Sequence, residues 1–220
     1  MVENITGIVI CCNTKDLIER AYSSVREFHP EMPIIIIDGS DSKNPCAVYL
    51  QGLHSEKTEV ISLKQNIGHG KGMCMGIDRV KTKYALIFDS DIEMLKSPVG
   101  QMLEMMEEDT FGVGSICKTG FDGVGYGKNP HHKKKGWISY LHPHFQLINI
   151  RNYRKYHRYV HHGAPCYLTM VDIHKKGLSE KILKEFPKLK NFVKHYHKGT
   201  RNERMKHGLD EIEVCGWEYK

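Results

Sequence analysis

The sequence predicts an α/β protein: an open, doubly wound, mostly parallel sheet with helices on both faces, folded as a single domain over 1–220. Three observations predict it. Strand-like apolar runs alternate with helical patterns four times within the first hundred residues. The run Pro33-Ile34-Ile35-Ile36-Ile37 is apolar on both faces, as in parallel strands covered by helices on each side. Right-handed crossovers between such strands then leave the doubly wound sheet as the natural arrangement.

Taken in order, Ile5 to Cys12 is almost wholly apolar and rich in β-branched residues, so it reads as a buried strand. Asn13 or Thr14 can cap a helix in which Leu17, Ile18, Ala21, Tyr22, Val25 and Phe28 share one face. The second strand, 33–37, runs into a loop, Asp38-Gly39-Ser40-Asp41. A short helix from Cys46 to Leu53 and a strand from Glu59 to Leu63 come next. Gln65-Asn66-Ile67-Gly68-His69-Gly70-Lys71-Gly72 reads as a glycine-rich loop that opens a helix to about Val80. Tyr84 to Phe88 is the fourth strand, stopped by Asp89-Ser90-Asp91.

The second half is less regular. The pattern gives a helix from Pro98 to about Glu108 and a strand from Gly112 to Cys117. Gly120 to Gly136 is a loop long enough to be a functional lid or a disordered segment. Ser139 to Ile150 is extended, Asn152 to Tyr159 helical, and Cys166 to Ile173 apolar but ambiguous. Leu178 to Leu189 holds a short helix, and no strong periodicity follows His195. There is no internal repeat and no linker.

Composition narrows the function classes. Hydrophobic residues make up 40% and charged residues 26%, the balance of a globular protein. No apolar run approaches the ~20 residues that span a bilayer. The start, Met1-Val2-Glu3-Asn4, has no basic lead or cleavage site. The expectation is a cytoplasmic protein with at most peripheral membrane contact at the inner face. The net charge of +6, with 14 histidines besides, suits anionic partners or simply a solvated basic surface. Seven cysteines without a CxxC pair read as reduced thiols, neither a disulfide framework nor a zinc module.

In an open α/β sheet, ligands bind beyond the carboxyl ends of the strands. Three polar loops fall there: Cys12-Asn13-Thr14, Asp38-Gly39-Ser40-Asp41 and Asp89-Ser90-Asp91, and the glycine-rich loop shares the rim. Asp89 and Asp91 are the sharpest feature. In extended backbone, i and i+2 point to the same side, so both carboxylates can face one Mg²⁺ or Mn²⁺. The competing reading is a pair of solvated carboxylates capping the next element. Asp38 can accept hydrogen bonds from a base or ribose, or serve as a turn residue. Lys71 can reach an anion at a helix start, or stand solvated. The loop around it is neither a Walker A sequence nor the Rossmann fingerprint.

Together these residues resemble the family 2 glycosyltransferases of the GT-A fold. Cys12-Asn13-Thr14 resembles the family's "PxYN" stretch, and Ile36-Ile37-Asp38-Gly39-Ser40 its "VDDGS". Asn66-Ile67-Gly68-His69-Gly70-Lys71-Gly72 resembles "NxGxxxARN", and Leu86-Ile87-Phe88-Asp89-Ser90-Asp91 the "xxLDxDD" metal motif. The match covers roughly 5–95 in order. The resemblance implies a nucleoside diphosphate sugar donor and a glycan or lipid-linked acceptor, with 1–95 binding the donor and 96–220 the acceptor. It implies that Cys12, Asn13, Thr14, Asp38, Asn66, Gly68, Lys71, Asp89 and Ser90 line the donor site. Asp89 and Asp91 would bind Mn²⁺ or Mg²⁺. It further implies inversion by single displacement, with a base on the acceptor hydroxyl.

The second half departs from the family pattern. The stretch Val193 to Thr200 resembles a late strand that often supplies a metal-binding histidine, here His195 or His197. The base is expected as an acid: Asp172 fits in order, and Asp210 is the alternative. Asp172 equally suits a helix cap. His142-Pro143-His144 either lines the acceptor pocket or packs in a loop; His161-His162 is uninformative. Lys133-Lys134-Lys135 either touches acidic headgroups or is solvated. Competing functions are a haloacid-dehalogenase-type phosphotransferase, a sugar-nucleotide nucleotidyltransferase, a nucleic-acid-binding module and a donor-binding protein without catalysis. The phosphotransferase wants its DxD after the first strand, the nucleotidyltransferase wants a basic glycine-rich loop there, and no nucleic-acid motif appears.

Overall fold

The computed structural model describes residues 4–120, 136–160 and 163–196. Strands β1 (Ile5–Cys11), β2 (Ile34–Asp38), β3 (Thr58–Ser62) and β4 (Tyr84–Asp89) alternate with helices α1 (Lys15–Phe28), α2 (Pro45–Gln51) and α3 (His69–Arg79). Then come β5 (Ile92–Met94), α4 (Val99–Glu104), β6 (Gly112–Gly120) and β7 (Trp137–Asn149). Short helices α5 (Ile150–Tyr153), α6 (Tyr167–Lys175) and α7 (Ser179–Ile182) lead to β8 (Leu183–Glu185) and β9 (Val193–His195).

Seven strands form one sheet in the order β3-β2-β1-β4-β7-β6-β8, and β5 pairs with β9 in a second, two-stranded sheet. The pairs β3/β2, β2/β1, β1/β4 and β6/β8 are parallel, while β7 runs antiparallel to β4 and β6. This is the mostly parallel, doubly wound sheet the sequence predicts. Period-2 alternation sends side chains to two cores. Ile5, Val9, Ile34, Ile36, Leu86 and Phe88 meet α1, α2 and α4 on one face. Ile8, Ile35, Ile37, Ala85 and Ile87 meet α3, α5 and α6 on the other. Isoleucines buried on both faces explain why 33–37 shows no alternation.

One glycine run takes a different place from that expected. The helix already starts at His69, so Gly70 and Gly72 lie inside α3, buried. A Cβ on Gly76 would stand 2.6 Å from Ile8 Cγ2. The glycines let α3 press against β1; only Gly68, at φ 86°, serves the turn into the helix.

The second half corrects several boundaries. The helix expected over 152–159 is one turn, 150–153, and that from 98 ends at Glu104. The run 166–173 resolves as helix α6. Leu178 to Leu189 gives one turn of helix and then strand β8, which joins the sheet edge beside β6. Most of the loop 120–136, with Lys133, Lys134 and Lys135, lies outside the described residues, as do His161 and His162.

Candidate active site

Strand order places the site. The chain winds from β1 to β2 to β3 on one side, then returns to β4 on the other side of β1. The crevice of such a sheet lies at this reversal, beyond the carboxyl ends of β1 and β4. The register pairs Ile10 with Asp89, so the loop after β1 and the acidic turn after β4 are neighbours.

Three elements of distant sequence meet at that turn. β4 delivers Asp89; Asp91 follows, its backbone carbonyl accepting the Tyr196 N–H at 2.8 Å. Pairing of β5 with β9 sets His195 opposite Ile92. His195 Nε2 lies 3.3 Å from Asp91 Oδ1 and 3.8 Å from Asp89 Oδ2. His69, the first residue of α3, holds Nε2 3.3 Å from Asp89 Oδ1. Pairing of Phe88 with Phe145 brings His142 and His144 of β7 alongside. The His144 and His195 rings lie 5.0 Å apart, and His142 stands 4.8 Å from His144.

Charge is balanced within this cluster. Burial pushes the Asp89 carboxyl up, but the imidazoles of His69, His142 and His195 outweigh it and hold its pKa well below the usual carboxylate range. Burial pulls His195 down, and the carboxylates of Asp91 and Asp89 more than reverse that, so its pKa is raised.

Asp89, Asp91 and His195 bring their ligand atoms within 4.8 Å of one another. Among the described residues it is the one such group of three or more His, Cys, Asp or Glu. Asp89 Oδ1 is buried and faces His69 Nε2 at 3.3 Å, while Oδ2 faces His195. Two carboxylates and one imidazole fit a divalent metal.

The other expected residues divide. Asn13, with φ 57°, and Cys12 stand half-buried at the rim; Asn13 donates its N–H to Ser40 Oγ at 2.8 Å and accepts from Asp41 N–H at 3.1 Å. Asn66 and Lys71 are exposed on the same rim, Asn66 Oδ1 accepting the Gly68 N–H. Ser90 is buried beneath the acidic turn. Thr14 and Asp38 are fully buried. Asp38 accepts from Ser40 N–H at 2.8 Å and Ser62 Oγ at 3.4 Å, so its carboxylate shapes the loop. Thr14 packs its hydroxyl against Cys11 Sγ.

Asp172 is not brought to the cluster. It accepts from His157 Nδ1 at 3.2 Å and pairs with Lys176, whose ammonium covers the Tyr156 ring. Tyr156 packs on Phe111, and the Phe111 carbonyl accepts from Asn149 N–H. Asn149 is the partner of Tyr84, at the start of β4, the end opposite Asp89. Burial raises the Asp172 pKa and the His157 and Lys176 contacts lower it further than that, the net being downward. His197 and Asp210 lie outside the described residues.

An α/β sheet whose switch point carries an Asp-x-Asp turn with a converging histidine is the GT-A architecture of nucleotide-sugar transferases. The chain belongs to glycosyl transferase family 2, whose model matches residues 6–171. Among solved structures it is similar to a mannosyltransferase, PcManGT, from Pyrobaculum calidifontis in complex with GDP-Man and Mn²⁺. The TM-score is 0.63 at 14% identity, covering 99% of this chain and 65% of that one, so this chain spans less than two thirds of that relative. Residues 1–349 of TarS from S. aureus give 0.58 at 12% identity, covering 96% of this chain and 68% of that one. GalNAc-T7, solved with UDP, GalNAc and Mn²⁺, gives 0.54 at 12% identity over 71% of this chain and 36% of that one. At these identities the likeness is one of fold. No curated protein matches the sequence.

His69, His142 and His144 are the residues sequence reasoning missed as part of this cluster. The i, i+2 spacing of His142 and His144 marks one face of a strand, but nothing local says which strand it pairs with.

Proposed function

We propose that the chain is a metal-dependent, inverting glycosyltransferase. It moves a sugar from a nucleoside diphosphate sugar to a hydroxyl of a glycan or lipid-linked acceptor. The observation that carries this is the Asp89, Asp91 and His195 donor set at the switch point of a family 2 fold. Two structures of similar fold, solved with Mn²⁺ and a nucleotide or nucleotide sugar, support it.

Asp89, Asp91 and His195 would hold Mn²⁺ or Mg²⁺, and the imidazole among them favours Mn²⁺. Bound there, the ion supplies positive charge to diphosphate oxygens as they depart. The chain adds its own. The first-turn N–H groups of α3 open onto the rim beside His69, with Lys71 exposed on the same turn. Cys12, Asn13, Thr14, Asp38, Asn66, Gly68 and Ser90 line the donor pocket. Residues 1–95 serve the donor and 96–220 the acceptor. A base from that second part takes the acceptor proton, and attack from the face opposite the leaving group inverts the sugar.

No helix among the described residues is long and apolar enough to cross a membrane. A basic chain acting at the cytoplasmic membrane face on lipid-linked acceptors suits the charge.

Thermal unfolding with UDP, GDP and dTDP, with and without Mn²⁺, tests this reading. A ligand at a hundred times its Kd adds about 2.7 kcal/mol. A metal-dependent shift from one nucleotide, lost in Asp91→Ala, is expected; no shift from any would sink it. A donor-binding protein without transfer is the second reading, favoured by the remote position of Asp172, and observed transfer or donor hydrolysis excludes it.

A further inference from the structure

The histidines of β7 form a structure of their own beside the metal-ligand set. His144 Nδ1 stands 2.9 Å from His142 Nδ1, and the His144 backbone N–H lies 3.2 Å from the same His142 nitrogen. A ring nitrogen that receives two donors must itself be unprotonated. His142 therefore carries its proton on Nε2, and His144 carries one on Nδ1, donating it to His142. This chain of two contacts fixes the plane of the His144 ring. That plane lies 18° from the plane of His195, with ring centres 5.0 Å apart, inside the range of packed aromatic pairs. On the far side, His195 Nε2 is aimed between Asp91 and Asp89.

We propose that His144 is a positioning residue for the metal site. Locked by His142, its flat ring presses on His195 and keeps the ligand nitrogen aimed at the ion. His144 works as a surface, not as a donor: its ligand atoms do not join the Asp89, Asp91 and His195 group. The sequence supports such a role. His142 and His144 flank a buried Pro143, which stiffens the backbone between them, and the shift of the β6–β7 register falls at the same place, between Gly114 and Ile116. Partners that orient a metal ligand commonly change metal affinity by 10–100-fold when removed.

The inference rests on the metal-site reading above, and its test separates the two. Mn²⁺ binding to the nucleotide-free protein is measured by the electron paramagnetic resonance of free Mn²⁺, a readout independent of turnover. The variants are His144→Ala, His144→Phe and His142→Ala. Loss of the ring in His144→Ala is expected to weaken Mn²⁺ by roughly 10–100-fold. His144→Phe keeps a flat ring but loses the Nδ1–H contact to His142, so it is expected to fall between wild type and His144→Ala. His142→Ala, which unlocks the ring but keeps it, falls between.

Equal losses in His144→Phe and His144→Ala would show that the ring's packing contributes nothing, overturning the proposal. So would wild-type affinity in His144→Ala. A wild type that binds no Mn²⁺ would remove the metal reading itself, and this inference with it. Should His144→Ala fail to fold, the long-range ¹H–¹⁵N spectrum of the metal-free wild type decides. His142 is expected as the Nε2–H tautomer and His144 as Nδ1–H, and the reverse assignment would break the hydrogen-bond chain on which the positioning depends.

Discussion

The two halves of the molecule build the same site by different means. In the first half, β1, β2 and β3 are each followed by a helix, and β2 pairs with both of its neighbours in sequence. Its contributions, Asn13, His69, Asp89 and Asp91, sit at strand ends and a helix start where local rules put them. The later chain contributes His142, His144 and His195 through β7 and β9, whose pairings with β4 and β5 span long stretches of chain. Carboxylates thus come from the regular half and most imidazoles from the irregular one. The difference teaches that the acidic turn follows from local rules, while the imidazoles around it depend on long-range pairing.

Removing an acid should cost most. Asp91 is buried, and its carboxylate contacts His195 at 3.3 Å. Asp91→Ala is expected to abolish measurable Mn²⁺ binding and to lower turnover on the order of 10³-fold, the worth of a metal's charge at a departing diphosphate. Steady-state kinetics with saturating Mn²⁺ checks this. A variant that keeps most of its activity would move the catalytic charge away from the regular half.

The imidazole contribution should show itself through pH. The folded pKa of His195 is raised, so its pairing with Asp91 and Asp89 stabilises fully below the unfolded histidine value of 6.5 and is lost as pH rises through the folded value. The folded pKa of Asp89 is depressed, so its contribution is present above the unfolded value of 3.8 and is lost only as pH falls through the depressed one. The metal-free protein should therefore melt highest between those limits and lose stability as pH climbs past the His195 value. Mn²⁺ needs Nε2 unprotonated, so its affinity should rise about tenfold per pH unit below that value. Melting scans from pH 5 to 9 with and without Mn²⁺ should diverge as pH rises. Parallel curves would remove His195 from the ligand set.

Packing in the regular half can be damaged without touching the chemistry. A Cβ at Gly76 meets Ile8 at 2.6 Å. Gly76→Ala is expected to cost ~1–3 kcal/mol, or roughly 2–4 °C of melting temperature per kcal/mol at this size. Mn²⁺ affinity should remain near wild type. A matching loss of Mn²⁺ binding would mean that α3 placement controls His69 and, through it, the acidic turn.

These contrasts explain what was legible in the sequence. The strands 5–11 and 34–38 declared themselves because isoleucines crowd both faces, and Asp89 and Asp91 because a strand stops abruptly at them. The glycines at 70 and 72 misled: spacing alone does not distinguish a phosphate-binding loop from a helix pressed onto a strand, and the answer lay in β1, where Ile10 faces Gly72 and Ile8 faces Gly76. β5, β8 and β9 are three residues each, too short for period-2 alternation to register. His142 and His144 looked like loop residues because their partner, His195, arrives from the far end of the described chain.

Asp172 supplies the smallest expected effect and the sharpest test of the irregular half. By order along the chain it suits a catalytic base, but the structure ties it to His157 and Lys176 at the opposite end of β4 from Asp89. Pairs of this kind, with a partner about half exposed, are worth ~0–1 kcal/mol. Asp172→Asn keeps the shape and removes the charge, so turnover should stay within about twofold of wild type, well below the 10²–10⁴-fold that loss of a general base costs. A loss of that size with folding intact would mean that the acceptor reaches past the metal cluster towards α6. It would also return the base to the half of the molecule whose local sequence named it.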